Sequence, residues 1–304
     1  MSCALAGSAF ANGCKPSRPK PLIVLKSMGA CIFDPRGLRF RGEPLEQALC
    51  LMRPMNASRN LAPTLERLPA PLATRIGRDS GLPAREALSA YLSRQDLEWD
   101  FAAHLWQPLS RARDNDLDAP QARYFVIHDT SGPNYGRRSF PADIDAAPKI
   151  NNLSNFECSD GWGRAHVVVN RSGKMLLEHD FEIPWRETKF ERAVNFAGAL
   201  KGLFVHVELI QPRRSLAGRG RHNDAQTPNP SFSAAQYDRL ALLYVVASVR
   251  AGEWLVPAFH AAIDAGIRNG HDDPLGFDIE KFADSLQRLL DKLQGPAEMQ
   301  AAHQ

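Results

Sequence analysis

Three ionisable residues stand on or at the end of apolar stretches that read as β-strands. His128 closes Tyr124-Phe-Val-Ile127, Glu208 lies inside Leu203-Phe-Val-His-Val-Glu-Leu-Ile210, and His260 closely follows Trp254-Leu-Val-Pro257. A fourth feature, the loop Gly270-His271-Asp272-Asp273-Pro274, packs ionisable groups into five residues. Two imidazoles and a carboxylate are the donor set of a catalytic zinc, which keeps a fourth position for water. Such a zinc lowers the pKa of its water to about 7, and a nearby carboxylate can then take the proton. Each residue alone also has a plainer reading. A histidine after a strand can be a hydrogen-bonded structural residue, Glu208 can sit on an edge strand, and Asp273-Pro274 can start a turn.

The elements that must hold these groups follow from the apolar pattern. His166-Val-Val-Val-Asn170 reads as a strand, and Met175-Leu-Leu177 as its hairpin partner across the turn at Arg171-Ser-Gly-Lys174. Phe190 to Leu200 has helical spacing. Ser233 with Gln236 three residues on opens a helix whose apolar positions run to Val249. Ile279 to Leu290 reads as a closing amphipathic helix. Strands alternate with helices, so residues 119–293 are expected to form an α/β domain with a mixed central β-sheet flanked by helices. Residues 22–118 read as a mostly helical N-terminal region without visible chemistry, with helices over Pro44 to Arg53, Pro83 to Leu92 and Leu97 to Leu109. Residues 294–304 are expected to form a C-terminal tail after the closing helix.

Composition narrows the class. The chain has 304 residues, 44% hydrophobic and 23% charged, with 37 basic and 34 acidic side chains, a net charge of +3. That balance is too weak to argue for a nucleic-acid binder, which usually carries a concentrated basic face. No apolar run approaches the ~18–20 residues needed to span a bilayer. Cys3, Cys14, Cys31, Cys50 and Cys158 show no CxxC spacing, so a cysteine zinc site is not indicated. Cys31–Cys50 is a conceivable bridge in an exported protein, with free buried thiols as the alternative. The small apolar start, Cys3 to Ala11, ends in Ala9-Phe10-Ala11, a signal-peptidase-like site without the usual basic beginning. Residues 1–21 thus read as a signal-like remnant and an extended linker.

The order of these features resembles the zinc-dependent N-acetylmuramoyl-L-alanine amidases of the type-2 class, relatives of the peptidoglycan-recognition proteins. The resemblance spans residues 123–293. It rests on Val126-Ile127-His128-Asp129-Thr130, Ala165-His166 leading to Ser172-Gly173, Val207-Glu208-Leu209, Phe232-Ser233 with Gln236-Tyr237, and His260 followed by Asp273-Pro274 and Phe277-Asp278. In that family the second zinc histidine follows a strand about two dozen residues after the tyrosine. His260 lies 260 − 237 = 23 residues after Tyr237, and His271 lies 271 − 237 = 34. The resemblance therefore implies Zn²⁺ on His128, His260 and Asp273, with His271 and Asp278 as the competing second and third ligands. It implies Glu208 as the general base and His271 as an oxyanion partner, in the place where many members carry a lysine two residues before the third ligand. His166, with sheet packing as its alternative, and Trp185 and Arg186 are the substrate-facing residues it implies. Here the chain departs from the family's Ala-Trp-His with Pro184-Trp185-Arg186.

The implied activity is hydrolysis of the amide joining N-acetylmuramic acid to L-alanine in peptidoglycan stem peptides, in a periplasmic or secreted protein. A non-catalytic peptidoglycan-recognition protein and a secreted antibacterial amidase are the alternatives. The Arg-rich loop 211–230 is expected to be solvated or to offer Arg213 and Arg214 to stem-peptide carboxylates.

Overall fold

The computed structural model describes residues 31–301, apart from 57, 96, 98–103, 158–164 and 220–222. The signal-like segment, the linker, Cys3, Cys14 and Cys158 lie outside the described residues.

The chain runs β1 (Phe33–Asp34), β2 (Arg39–Phe40), α1 (Pro44–Leu51), α2 (Ala70–Ala73), α3 (Arg85–Arg94), the short turn α4 (Ala112–Asn115), β3 (Tyr124–Asp129) and α5 (Pro148–Asn151). It continues with β4 (Val167–Val169), β5 (Met175–Leu177), β6 (Phe204–Leu209), α6 (Ala234–Ala251), β7 (Val256–Phe259), α7 (His260–Ile263) and α8 (Ile279–Ala301). The fold is α/β, built on a mixed five-stranded sheet of order β5-β4-β6-β3-β7. β4, β6, β3 and β7 are parallel, and β5 closes one edge as the antiparallel hairpin partner of β4, with Val167 opposite Leu177. The parallel strands are buried on both faces and are correspondingly apolar.

Period-2 alternation divides β3 between two layers. Phe125 points toward α6, where its ring meets Tyr244 with centroids 5.3 Å apart. Tyr124, on the other face, meets Phe40 and Phe204 at 5.3 and 5.0 Å. α6 and α8 thus cover one face, while the β1–β2 hairpin and the segment around Phe190 cover the other. The Tyr124 hydroxyl ties these parts together: it accepts from the Phe40 amide at 2.7 Å and donates to Gln47 at 2.9 Å. Residues 31–118 accordingly share one hydrophobic core with the sheet, in which Phe33, Phe40, Leu51 and Leu88 join Tyr124, Phe204 and Trp254. Cys31 and Cys50 form a disulfide within this layer.

Local signals explain the boundaries of α6 and the start of α1. Ser233 accepts from the Gln236 amide and the Gln236 side chain accepts from the Ser233 amide, a reciprocal cap that starts α6. Gly252, with φ of 79°, ends it in the left-handed conformation that glycine adopts without a side-chain clash. α1 begins on Pro44 behind a capping box between Glu43 and Glu46.

Two expected helices are corrected. Phe190 to Leu200 contains only a 3-10 turn over Val194–Phe196, ending at left-handed Ala197. Its start is committed to tertiary bonds: the Phe190 amide donates to Asp264, and Glu191 turns inward to accept from Thr188. Of the expected helix over 97–109, residues 98–103 lie outside the described residues and residues 104–106 form a turn.

Candidate metal centre

The sheet places the chemistry-bearing residues at the carboxyl ends of three adjacent parallel strands, where open α/β sheets form their crevices. His128 on β3 is paired in register with Glu208 on β6. On the other side of β3, β7 ends at Phe259 and His260 opens α7. Asp273 arrives on the loop after α7. Its carbonyl accepts from the Ala261 amide at 2.8 Å, and its carboxylate accepts from the Asp129 amide at 3.1 Å.

These supports bring His128, His260 and Asp273 together, all buried. The two Nδ1 atoms lie 2.9 Å apart, and Asp273 Oδ2 lies 3.1 Å from His260 Nδ1 and 3.8 Å from His128 Nδ1. Two facing imidazole nitrogens at that distance need a proton or a cation between them. Burial, reinforced by the neighbouring imidazoles, holds His128 well below the ordinary histidine range. Burial also opposes charge on His260, but Asp273 and Asp264 outweigh it and hold His260 well above that range. Burial would raise Asp273, yet the adjacent His260 keeps it below the ordinary carboxylate range. Without a metal, the centre is an imidazolium between two carboxylates.

The donor set fits a divalent metal. Two nitrogens at about 2.0–2.1 Å from a tetrahedral zinc stand roughly 3.3 Å apart, so the Nδ1 pair needs to open by only a few tenths of an ångström. Asp278, the competing third ligand, lies elsewhere. It sits just before α8, accepts from the Lys281 amide at 3.2 Å, and is outside the grouping.

His271 belongs to a second grouping, with His260 and Asp264. Its ring lies over His260, centroids 4.0 Å apart, and its Nδ1 donates to Asp264 at 2.7 Å. Burial, and then His260, lower its pKa. A neutral His271 therefore spends its N–H on Asp264 and leaves Nε2 as an acceptor. With Nδ1–H on Asp264, donation to an oxyanion from Nε2 requires the imidazolium. Asp264 also stands 3.2 Å from His260 Nε2.

The substrate-facing expectations divide. His166 is fully buried, with Nδ1 accepting from the His206 amide at 3.0 Å and Nε2 3.1 Å from the Ile183 carbonyl. Its ring stacks on His206 inside the sheet layer, the packing geometry and not a groove-facing one. Trp185 is half-buried, stacked on His179 at 4.2 Å, and Arg186 is half-buried with its carbonyl accepting from Arg192. Arg213 is corrected outright. It is fully buried and clasps Asp129 at 2.6 and 2.9 Å, so burial keeps it from a substrate carboxylate. Arg214 lies over the Phe140 ring.

Several residues around the centre escaped the sequence reading. Glu187 is largely buried, and burial followed by the like charge of Glu208 pushes its carboxyl up to about 8. Glu187 and Glu208 thus form a neighbouring pair that resists double ionisation. His206 and Glu191 lie fully buried behind His128, and Asp264 behind His260. One signal was available for His206. In β6 it alternates with Glu208 on the face opposite Val205 and Val207, so a polar pair at i and i+2 marks the site face. Glu191, Asp264 and Glu187 sit in irregular segments without such a periodicity. Comparison of the chain with protein-family models, curated proteins and solved structures finds no match.

Proposed function

We propose that the protein is a zinc-dependent amidase that hydrolyses the bond between N-acetylmuramic acid and L-alanine of peptidoglycan stem peptides. The observation that carries this reading is the convergence of His128, His260 and Asp273 beside the strand position that pairs His128 with Glu208. The resemblance of the motifs around the same residues to the type-2 amidases supports this substrate class. His128 and His260 would hold the metal through Nδ1, and Asp273 through its carboxylate. A zinc ion there supplies a Lewis acid for the scissile carbonyl and a water of pKa about 7. Glu208 accepts the proton of the attacking water and returns one to the leaving amine of L-alanine. In the metal-free chain, burial and then Glu208 push the Glu187 carboxyl beside it up to about 8, so the pair resists carrying two negative charges. The Cys31–Cys50 disulfide supports a periplasmic or secreted location, since such bonds persist in oxidising compartments.

Metal analysis of the purified protein, combined with mass spectrometry of digested cell-wall sacculi, tests the reading. One zinc per chain and release of stem peptides with a free L-alanine amine are expected. Binding to sacculi without release would replace the enzyme with a recognition protein, and absence of zinc from active protein would overturn the metal assignment.

A further inference from the structure

Behind the centre, a line of polar side chains runs through the core. His128 Nε2 lies 3.0 Å from His206 Nδ1, and His206 Nε2 lies 3.2 Å from Glu191 Oε1. Glu191 Oε2 accepts from both the Thr188 amide, at 2.9 Å, and the Thr188 hydroxyl, at 2.8 Å. His206 and Glu191 are fully buried, and His128 is 1% exposed. A chain of this kind, four polar side chains in a dry layer beside the Phe204 ring, is costly unless every hydrogen has an acceptor.

We infer that Glu191 and His206 are positioning residues that set the tautomer of His128, so that its Nδ1 presents a lone pair to a metal. The inference rests on the metal reading above, and the hydrogen count follows from it. If His128 gives Nδ1 to a metal, its remaining hydrogen is on Nε2. His206 Nδ1 must then accept, so the hydrogen of His206 sits on Nε2. Glu191 must accept that hydrogen, which a carboxylate oxygen 3.2 Å away can do. Thr188 removes the remaining freedom, because both of its donors engage the other carboxylate oxygen. The neighbouring His166 leaves this order undisturbed: it stacks on His206 and takes only the His206 backbone amide.

The arrangement makes Glu191→Gln an informative change of almost no volume. The two Thr188 donors require the amide oxygen, which turns the amide N–H₂ toward His206 Nε2. Two donors then face each other. Relief comes from moving the His206 hydrogen to Nδ1, where it opposes the Nε2–H of His128. The imidazole of His128 is driven toward the tautomer that carries hydrogen on Nδ1, where the metal should bind.

The experiment measures zinc affinity by chelator competition in wild type, E191Q, H206N and the double variant, with ¹⁵N NMR of the histidine nitrogens. Zinc-loaded wild type is expected to show His206 protonated on Nε2 and bare on Nδ1. E191Q is expected to bind zinc roughly 10–100-fold more weakly, as other residues that orient a ligand do. Once His206 is replaced, E191Q is expected to add little, because it acts through that ring. Wild type that binds no zinc removes the metal reading itself. Wild type that binds zinc while E191Q retains full affinity overturns the relay and leaves the metal reading standing. A wild-type His206 protonated on Nδ1 overturns the relay without any variant, so a failure of E191Q to fold does not shield it.

Discussion

Arg213 and Asp129 form a buried two-point ion pair, with Nη2 2.6 Å from Oδ2 and 2.9 Å from Oδ1. Asp129 directly follows His128 and also accepts from the amides of Ser131 and Leu275. One carboxylate therefore fastens the end of β3, the loop after β6 and the segment that carries Asp273.

Arg213→Ala leaves that carboxylate buried without its cation. The expected cost is about 3–5 kcal/mol of folding stability, the range for a broken buried pair. Denaturant titration reads it. Loss of substrate affinity at wild-type stability would instead mean that Arg213 faces the substrate.

Asp273 and Asp278 separate the two candidate third ligands. Asp273→Asn should weaken zinc binding by more than the roughly 10–100-fold typical of a residue that only orients a ligand. Asp278→Asn should leave zinc binding unchanged, because its carboxylate contacts Lys281 at the start of α8. Chelator competition on the two purified variants decides between them.

Glu187 gives the metal-free protein a defined pH dependence. Its carboxyl stands at about 8 in the folded chain, against 4.5 for an unperturbed glutamate. Between those values the native state holds a proton that the unfolded state has lost, so stability falls as pH rises through the window. Its contribution is fully present below the unfolded value and gone above the folded one. Glu187→Gln should flatten this decline, seen as a smaller shift in denaturation midpoint across the window than in wild type.

Tyr124→Phe tests how firmly the N-terminal region is joined to the sheet. The change removes the hydroxyl that accepts from Phe40 and donates to Gln47, both in the dry core. Leaving those partners unsatisfied should cost about 1–3 kcal/mol, with a single unfolding transition retained. Two separated transitions would show that residues 31–118 and the sheet unfold independently.

The features legible along the chain are local. The capped start of α6 at Ser233 and Gln236, the β4–β5 hairpin, and the apolar runs of β3, β6 and β7 depend on neighbours a few residues apart. His128, Glu208 and His260 were visible because each interrupts or follows such a run. Which side chains meet depends on packing between distant segments. Helical spacing at Phe190 to Leu200 lost to bonds made by Phe190 with Asp264 and by Glu191 with Thr188 and His206. Arg213 looked like a surface cation until Asp129, 84 residues away, took it inside. Asp273 joined the histidines and Asp278 did not, because the Asp129 and Ala261 backbone contacts fix the loop that carries Asp273. Periodicity reports the face of an element, whereas a buried charge is placed by the partner that offsets its loss of water, and that partner can lie anywhere along the chain.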